Sequence, residues 1–222
     1  MVTSIPGSSF LTSALDVISQ SLQIPVIVFL LLFAIASVII LGGLLSEYTT
    51  RKKVPMKVMR ELIYKISESE SVDEMKTIIS EAMIPKSQKR VLDQIASSSD
   101  LTQDSRIALA RKYLENEEDK TEKSLEKTDI ITRIGPTLGL MGTLIPMGPG
   151  LAALGTGDVN TLSQAIIVAF DTTVVGIGAG AIAYFVSKVR RRWYEEYLSN
   201  LDALSDVVLD KLNHLKPSNG DE

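Results

Sequence analysis

The chain has 222 residues, 45% of them hydrophobic, with 23 bases, 27 acids, one histidine and no cysteine. Its length suits one domain, two at most. The missing cysteines exclude a disulfide framework, thiol catalysis and Cys-ligated metal, and a lone His214 makes a histidine metal site or triad improbable. Charge is distributed unevenly: no Lys or Arg occurs in residues 1–50 or 134–187. That pattern argues against a simple soluble domain, a basic nucleic-acid binder and a disordered acidic chain.

Residues 1–23 carry no base and are expected outside the membrane. Residues 24–45, IPVIVFLLLFAIASVIILGGLL, contain no charge. As a helix the run spans about 33 Å, enough to cross a bilayer core. A cleavable signal peptide fits poorly, because no base precedes the run and Arg51-Lys52-Lys53 follows it.

Segment 46–133 reads as helices on the cytoplasmic side. Pro55 is placed to open one of them. Ser71-Val-Asp-Glu74 is a capping box ahead of Met75, Ile78, Ile79 and Met83. Pro85 begins a short helix with Val91, Leu92 and Ile95 on one face, and Ser97-Ser98-Ser99 is a turn. From about Thr102 the chain is helix-forming up to Pro136, a rod of about 50 Å that enters the membrane. The dense charges of 115–127 read as a solvated face, with Glu118 and Glu122 set against Lys123 and Lys127, or as a docking surface.

Residues 134–154 form a second apolar span with Pro136, Pro146 and Pro149; neighbouring helices in lipid can satisfy the backbone that such prolines free. A polar link, 155–161, leads to a third span, 162–187, so the two spans form a helical hairpin. Bases after the first span (Arg51, Lys52, Lys53), before the second (Lys127, Arg133) and after the third (Lys188, Arg190, Arg191, Arg192) place the N-terminus outside and the C-terminus inside. Tyr48, Trp193 and Tyr194 suit interfacial anchors. In the tail, 188–222, Tyr197, Leu201, Leu204, Val208 and Leu215 form a coiled-coil-like seam broken by Lys211. It needs the chain's own helices or an identical neighbour to pack against. The expected fold is therefore all-α: an integral membrane protein with three transmembrane helices and long cytoplasmic helical extensions.

Asp171 lies well inside the third span, where an ionisable group costs about 2.5–3.5 kcal/mol on insertion scales. Such a carboxyl is a functional-site candidate that exchanges a proton or, ionised, holds a cation; the bland readings are a position nearer the membrane interface or a hydrogen bond to a neighbouring helix. Thr143, Thr172 and Thr173 add hydroxyls among small residues and suggest a narrow polar ion pathway with Asp171. Gly135, Gly139 and Gly142 on the second span, and Gly176 and Gly180 on the third, permit close helix packing. The glycine-rich run Gly176–Gly180 imitates a nucleotide loop but lacks the strand–loop–helix context. No nucleophile–base pair, metal cluster or phosphate loop supports an enzyme, and no cofactor or metal is expected.

Gly135-Pro136-Thr137-Leu138-Gly139-Leu140-Met141-Gly142-Thr143 and Ala169-Phe170-Asp171-Thr172-Thr173-Val174-Val175-Gly176 resemble the two signatures of the MotA/TolQ/ExbB proton-channel proteins, P-x-LGLLGT and A-L-x-x-T-x-x-G. Three spans and a large insertion after the first match the TolQ/ExbB layout. The resemblance implies a homo-pentamer in the cell membrane whose second and third spans line a pore. That pore encloses single-span helices of an ExbD-, TolR- or MotB-like partner bearing an intramembrane aspartate, and ion flow drives work at a distance. It makes Thr143 and Thr173 the pore-lining threonines. The chain departs from the pattern at Val168, where TolQ and ExbB carry glutamate, and at Asp171, where those relatives are apolar. A spacing of three keeps the acid on roughly the same helix face. The expected function is thus a pore-forming subunit of a proton- or sodium-driven energy-transducing complex. The alternative is a non-conducting oligomeric scaffold with these polar residues as packing contacts.

Overall fold

The computed structural model describes residues 8–51 and 53–215 and, among them, six helices and no strand: α1 (Ser8–Thr50), α2 (Met56–Glu68), α3 (Val72–Glu81), α4 (Lys86–Ala96), α5 (Gln103–Gly155) and α6 (Val159–Leu215). Helices α1, α5 and α6 are long and apolar enough to cross a membrane. Helix α1 starts well before the apolar run, at Ser8, and carries Pro25 within it. Pro136 does not end the helix that enters the second span: α5 continues through Pro136, Pro146 and Pro149 to Gly155.

The chain divides into two compact units. One comprises the part of α1 up to Ser46 together with Leu125–Val189; the other comprises Glu47–Ser124 and the part of α6 from Arg190. In the first, α1 lays one stripe on the α5–α6 hairpin. Val26 and Leu30 pack with Ile145, flanked by Leu138 and Val175. Phe33, Ala36 and Ile40 lie over Ile131, Ala179 and Ala183. These α1 positions recur at three and four, one face of a 3.6-residue helix. Its other faces expose Leu31, Leu32, Ile35, Val38 and Ile39, side chains suited to lipid tails.

The hairpin turns at Thr156–Asp158. Gly157 takes φ +82°, which an L side chain adopts only with strain. Asp158 then caps α6: its carboxylate accepts from the Thr161 backbone N–H at 3.1 Å and from the Thr161 hydroxyl at 2.6 Å. The hydroxyl bond, then the backbone bond, holds the Asp158 carboxyl below its ordinary value. A lowered folded pKa contributes stability that is present above the ordinary value of 3.8 and lost as pH falls through the folded one. Asp158→Asn is therefore expected to remove the acid-dependent part of hairpin stability below about pH 4 while leaving the neutral-pH fold intact. Helicity followed by circular dichroism between neutral and acid pH checks this.

In the second unit, four buried residues of α6, Leu201, Leu204, Val208 and Leu212, form the spine of the core. Around it pack Met59, Leu62 and Ile66 of α2, Met75 and Ile79 of α3, and Val91, Leu92, Ile95 and Ala96 of α4. The seam read from the sequence thus meets the chain's own helices, with one correction: it continues through Leu212, and Leu215 is only half-buried. A strict 3.5-residue repeat puts Lys211 in register, whereas a straight helix of 3.6 residues per turn drifts to Leu212. Lys211 instead reaches the Ser67 carbonyl at 2.8 Å.

Local signals fix the short helices. Ser71 accepts from the Glu74 N–H at 3.2 Å, and Glu74 reaches back to the N–H of Glu70, one residue before the usual capping-box position, at 2.7 Å. Pro55 and Pro85 occupy the N-cap positions of α2 and α4 in extended geometry, just ahead of the first helical residue. The charged stretch of α5 is not wholly solvated. Glu117 is buried, accepts from the Tyr197 hydroxyl at 2.8 Å and pairs with Lys120 at 2.6 Å. Burial, more than the nearby Glu117 carboxylate, pushes the Tyr197 phenol above its usual range. The ion pairs that close here are Lys120–Glu117 and Lys112–Glu115, at i,i+3 spacing, rather than those expected of Glu118 and Glu122. Tyr48 and Trp193 stack with ring centroids 6.2 Å apart, and the Arg51 guanidinium lies 4.9 Å from the Trp193 ring centre.

Candidate intramembrane site

The two spans of the hairpin approach until backbone meets backbone. A Cβ on Gly176 would stand 2.7 Å from the Gly135 carbonyl oxygen and 2.8 Å from the Gly139 Cα. A Cβ on Gly142 would stand 2.6 Å from the Thr172 Cβ, and one on Gly180 would meet the Pro136 ring at 2.8 Å. A Cβ on Gly150 would stand 2.8 Å from that of Ala165. Glycine is required wherever two helix backbones touch in this way. The contacts also set the depth register of the antiparallel pair: position 135 lies level with 176–180, 139 with 172–176, 142 with 172 and 150 with 165. At the far end the Ser187 hydroxyl donates to Asp129 at 2.6 Å.

The register places the candidate polar residues. Thr172 is buried, its methyl and hydroxyl against Gly142, and its hydroxyl donates to the Val168 carbonyl at 2.8 Å. Thr172 therefore fills the seam between the chain's own spans. Thr143 and Thr173, each one residue further along helices that run in opposite directions, are offset in depth by about 3 Å and are half-buried. Thr143 donates to Leu140 at 2.6 Å and Thr173 to Ala169 at 2.9 Å. Each stands two residues from a position that packs towards α1: Thr143 from Ile145, Thr173 from Val175. Two residues are about 200° on a helix, so both threonines belong to the hairpin face that α1 leaves open.

Asp171 is on a different side. It is two residues from Thr173, again about 200° round α6, and one turn from Val175. Its side chain is exposed, and among the described residues it has no hydrogen-bond or ion-pair partner. Val168, which takes the place of the relatives' glutamate, is half-buried. The step of three that kept the acid near the same face leaves a turn of about 60°, enough to bring Asp171 out to the edge of the hairpin. The structure thus puts Thr143 and Thr173 on one face of the hairpin and Asp171 and Thr172 on others. Among the described residues no cluster of His, Asp and Glu could hold a metal ion.

No curated protein matches the chain. Residues 85–203, more than half of the sequence, match the profile of the MotA/TolQ/ExbB proton channel family. The matched stretch contains the whole hairpin, both motifs and, of the seam that α6 buries in the second unit, only Leu201. With its all-α fold and three membrane-length helices, the chain is a membrane protein and belongs to the MotA/TolQ/ExbB proton channel family.

Proposed function

We propose that the chain is the pore-forming subunit of an ion-driven energy-transducing complex. Several copies, five by the family's pattern, surround the membrane helix of a single-span partner that supplies an aspartate. The ion is a proton, with sodium as the other candidate that hydroxyls and a carboxylate suit. The complex sits in the cell membrane with the N-terminus and the 155–161 link outside, because every base adjoining a span lies on the opposite side. One observation carries the reading beyond family membership: Thr143 and Thr173, offset in depth by only about 3 Å, both belong to the hairpin face that α1 does not cover. A ring of such faces is a hydroxyl-lined lumen.

The scaffold reading has its own observation. All three threonine hydroxyls are satisfied by carbonyls of their own helix, as packing residues in membrane helices are. Flux in proteoliposomes separates the two. With the partner present, Thr143→Val and Thr173→Val together are expected to remove most of the ion flux and leave the copy number, read by native mass, unchanged. Full flux in that double variant sinks the lumen assignment. Absence of flux from the wild-type complex under any gradient favours the scaffold.

A further inference from the structure

We infer that Asp129, held by Ser187, is a second polar station on the ion path, at its cytoplasmic mouth, where its carboxylate draws the transported cation past the surrounding bases. The inference rests on the proposed pore and adds the site through which a proton or sodium ion passes between lumen and cytoplasm.

Asp129 repeats the placement of Thr143. It stands two residues from Ile131, which packs under α1, as Thr143 stands two residues from Ile145. Two residues are about 200° on a helix, so Asp129 too belongs to the hairpin face that α1 leaves open. It precedes Thr143 by fourteen residues. That step is nearly four turns, about 21 Å along α5, and keeps the two within about 40° of each other. Ser187 follows Thr173 by the same fourteen residues on α6. The helices are antiparallel, so both steps lead to the side that the flanking bases mark as cytoplasmic.

The bond between them is short. Ser187 is 6% exposed, and its hydroxyl donates to the Asp129 Oδ1 at 2.6 Å, the length expected with an ionised acceptor. Asp129 itself is only half-buried, so a buried hydroxyl fixes the carboxyl without enclosing it. Its charge is unusual for its surroundings. Within four residues of Asp129 or Ser187 the sequence has five bases, Lys127, Arg133, Lys188, Arg190 and Arg191, and one further acid, Glu126. Bases suit the inner membrane surface, but their field repels a cation at the mouth of a pore. A carboxylate on the lumen-facing side offsets that field where the ion passes. Several copies around one axis set the Asp129 groups in a ring, and carboxylate rings favour cations in channels.

Asp129→Asn keeps an oxygen for the Ser187 hydroxyl and removes the charge. The test uses proteoliposomes holding the complex, purified from native membranes through a tag on this chain, with entrapped proton- and sodium-sensitive dyes. The variant is expected to lower the flux of whichever ion the wild type carries about tenfold. The loss should be larger at low ionic strength than at high. Adding Arg133→Gln is expected to recover much of the flux, because residues 129–133 regain their wild-type net charge. A bond that only staples α5 to α6 predicts no such recovery. Absence of flux from the wild-type complex overturns the proposed function and this site with it. Full flux in Asp129→Asn, or a loss that neither ionic strength nor Arg133→Gln changes, overturns the site and leaves the function standing. Dissociation of the variant oligomer, read by native mass, does the same.

Discussion

Gly176→Ala is expected to force α5 and α6 apart, at a cost of about 3 kcal/mol, the upper end for an overpacked site. The added methyl would meet the Gly135 carbonyl oxygen at 2.7 Å and the Gly139 Cα at 2.8 Å, both backbone atoms. No rotamer change relieves that contact, and the facing residues are glycines with no side chain left to trim. Gly142→Ala behaves differently, since its obstacle is the Thr172 side chain at 2.6–2.9 Å. Thr172→Gly is therefore expected to restore Gly142→Ala and to do nothing for Gly176→Ala. Apparent melting temperatures of the four variants in one detergent decide this. Equal rescue of both glycine variants would mean that the helices slide rather than clash.

The second large effect lies outside the hairpin. Leu204 is fully buried where α6 crosses the core formed with α2, α3 and α4. Leu204→Ala is expected to cost about 2–5 kcal/mol, through lost burial plus the cavity left by the missing carbons. Leu215→Ala, one of the seam positions read from the sequence, should cost well under 1 kcal/mol because Leu215 is half-buried and off the spine. Limited proteolysis of residues 56–124 reports the difference: early cleavage in Leu204→Ala, the wild-type pattern in Leu215→Ala. Similar patterns would return the seam to the 3.5-residue register.

Much of this architecture is legible in the residues because membranes penalise charge. Two base-free stretches and the clusters that border them locate three spans before any geometry is known. The glycine positions are legible as well, since small residues at spacings of three and four have few uses in a helix other than contact. Leu212 was not, because a seven-residue template and a straight helix diverge by about 20° per heptad. The burial of Glu117 was hidden for a different reason: its partner Tyr197 is 80 residues away. The angle between Asp171 and the threonines was hidden as well. Adjacent letters at 171, 172 and 173 point in three directions, and only the contacts of α1 and α5 say which direction is which.

The prolines of α5 add a property that no inventory of side chains shows. Pro136, Pro146 and Pro149 lie inside the helix, and a proline has no N–H to offer the carbonyl four residues back. The carbonyls of Thr132, Gly142 and Ile145 thus lose their helical donors in the apolar half of α5. Each is a backbone dipole without its usual i+4 donor, in a medium of low dielectric, where charge interactions are strongest. The Gly142 carbonyl belongs to the residue next to Thr143, so it stands near the depth of the threonine pair. The main chain of this membrane segment is therefore more polar than its sequence of Gly, Leu, Ile, Met and Pro suggests.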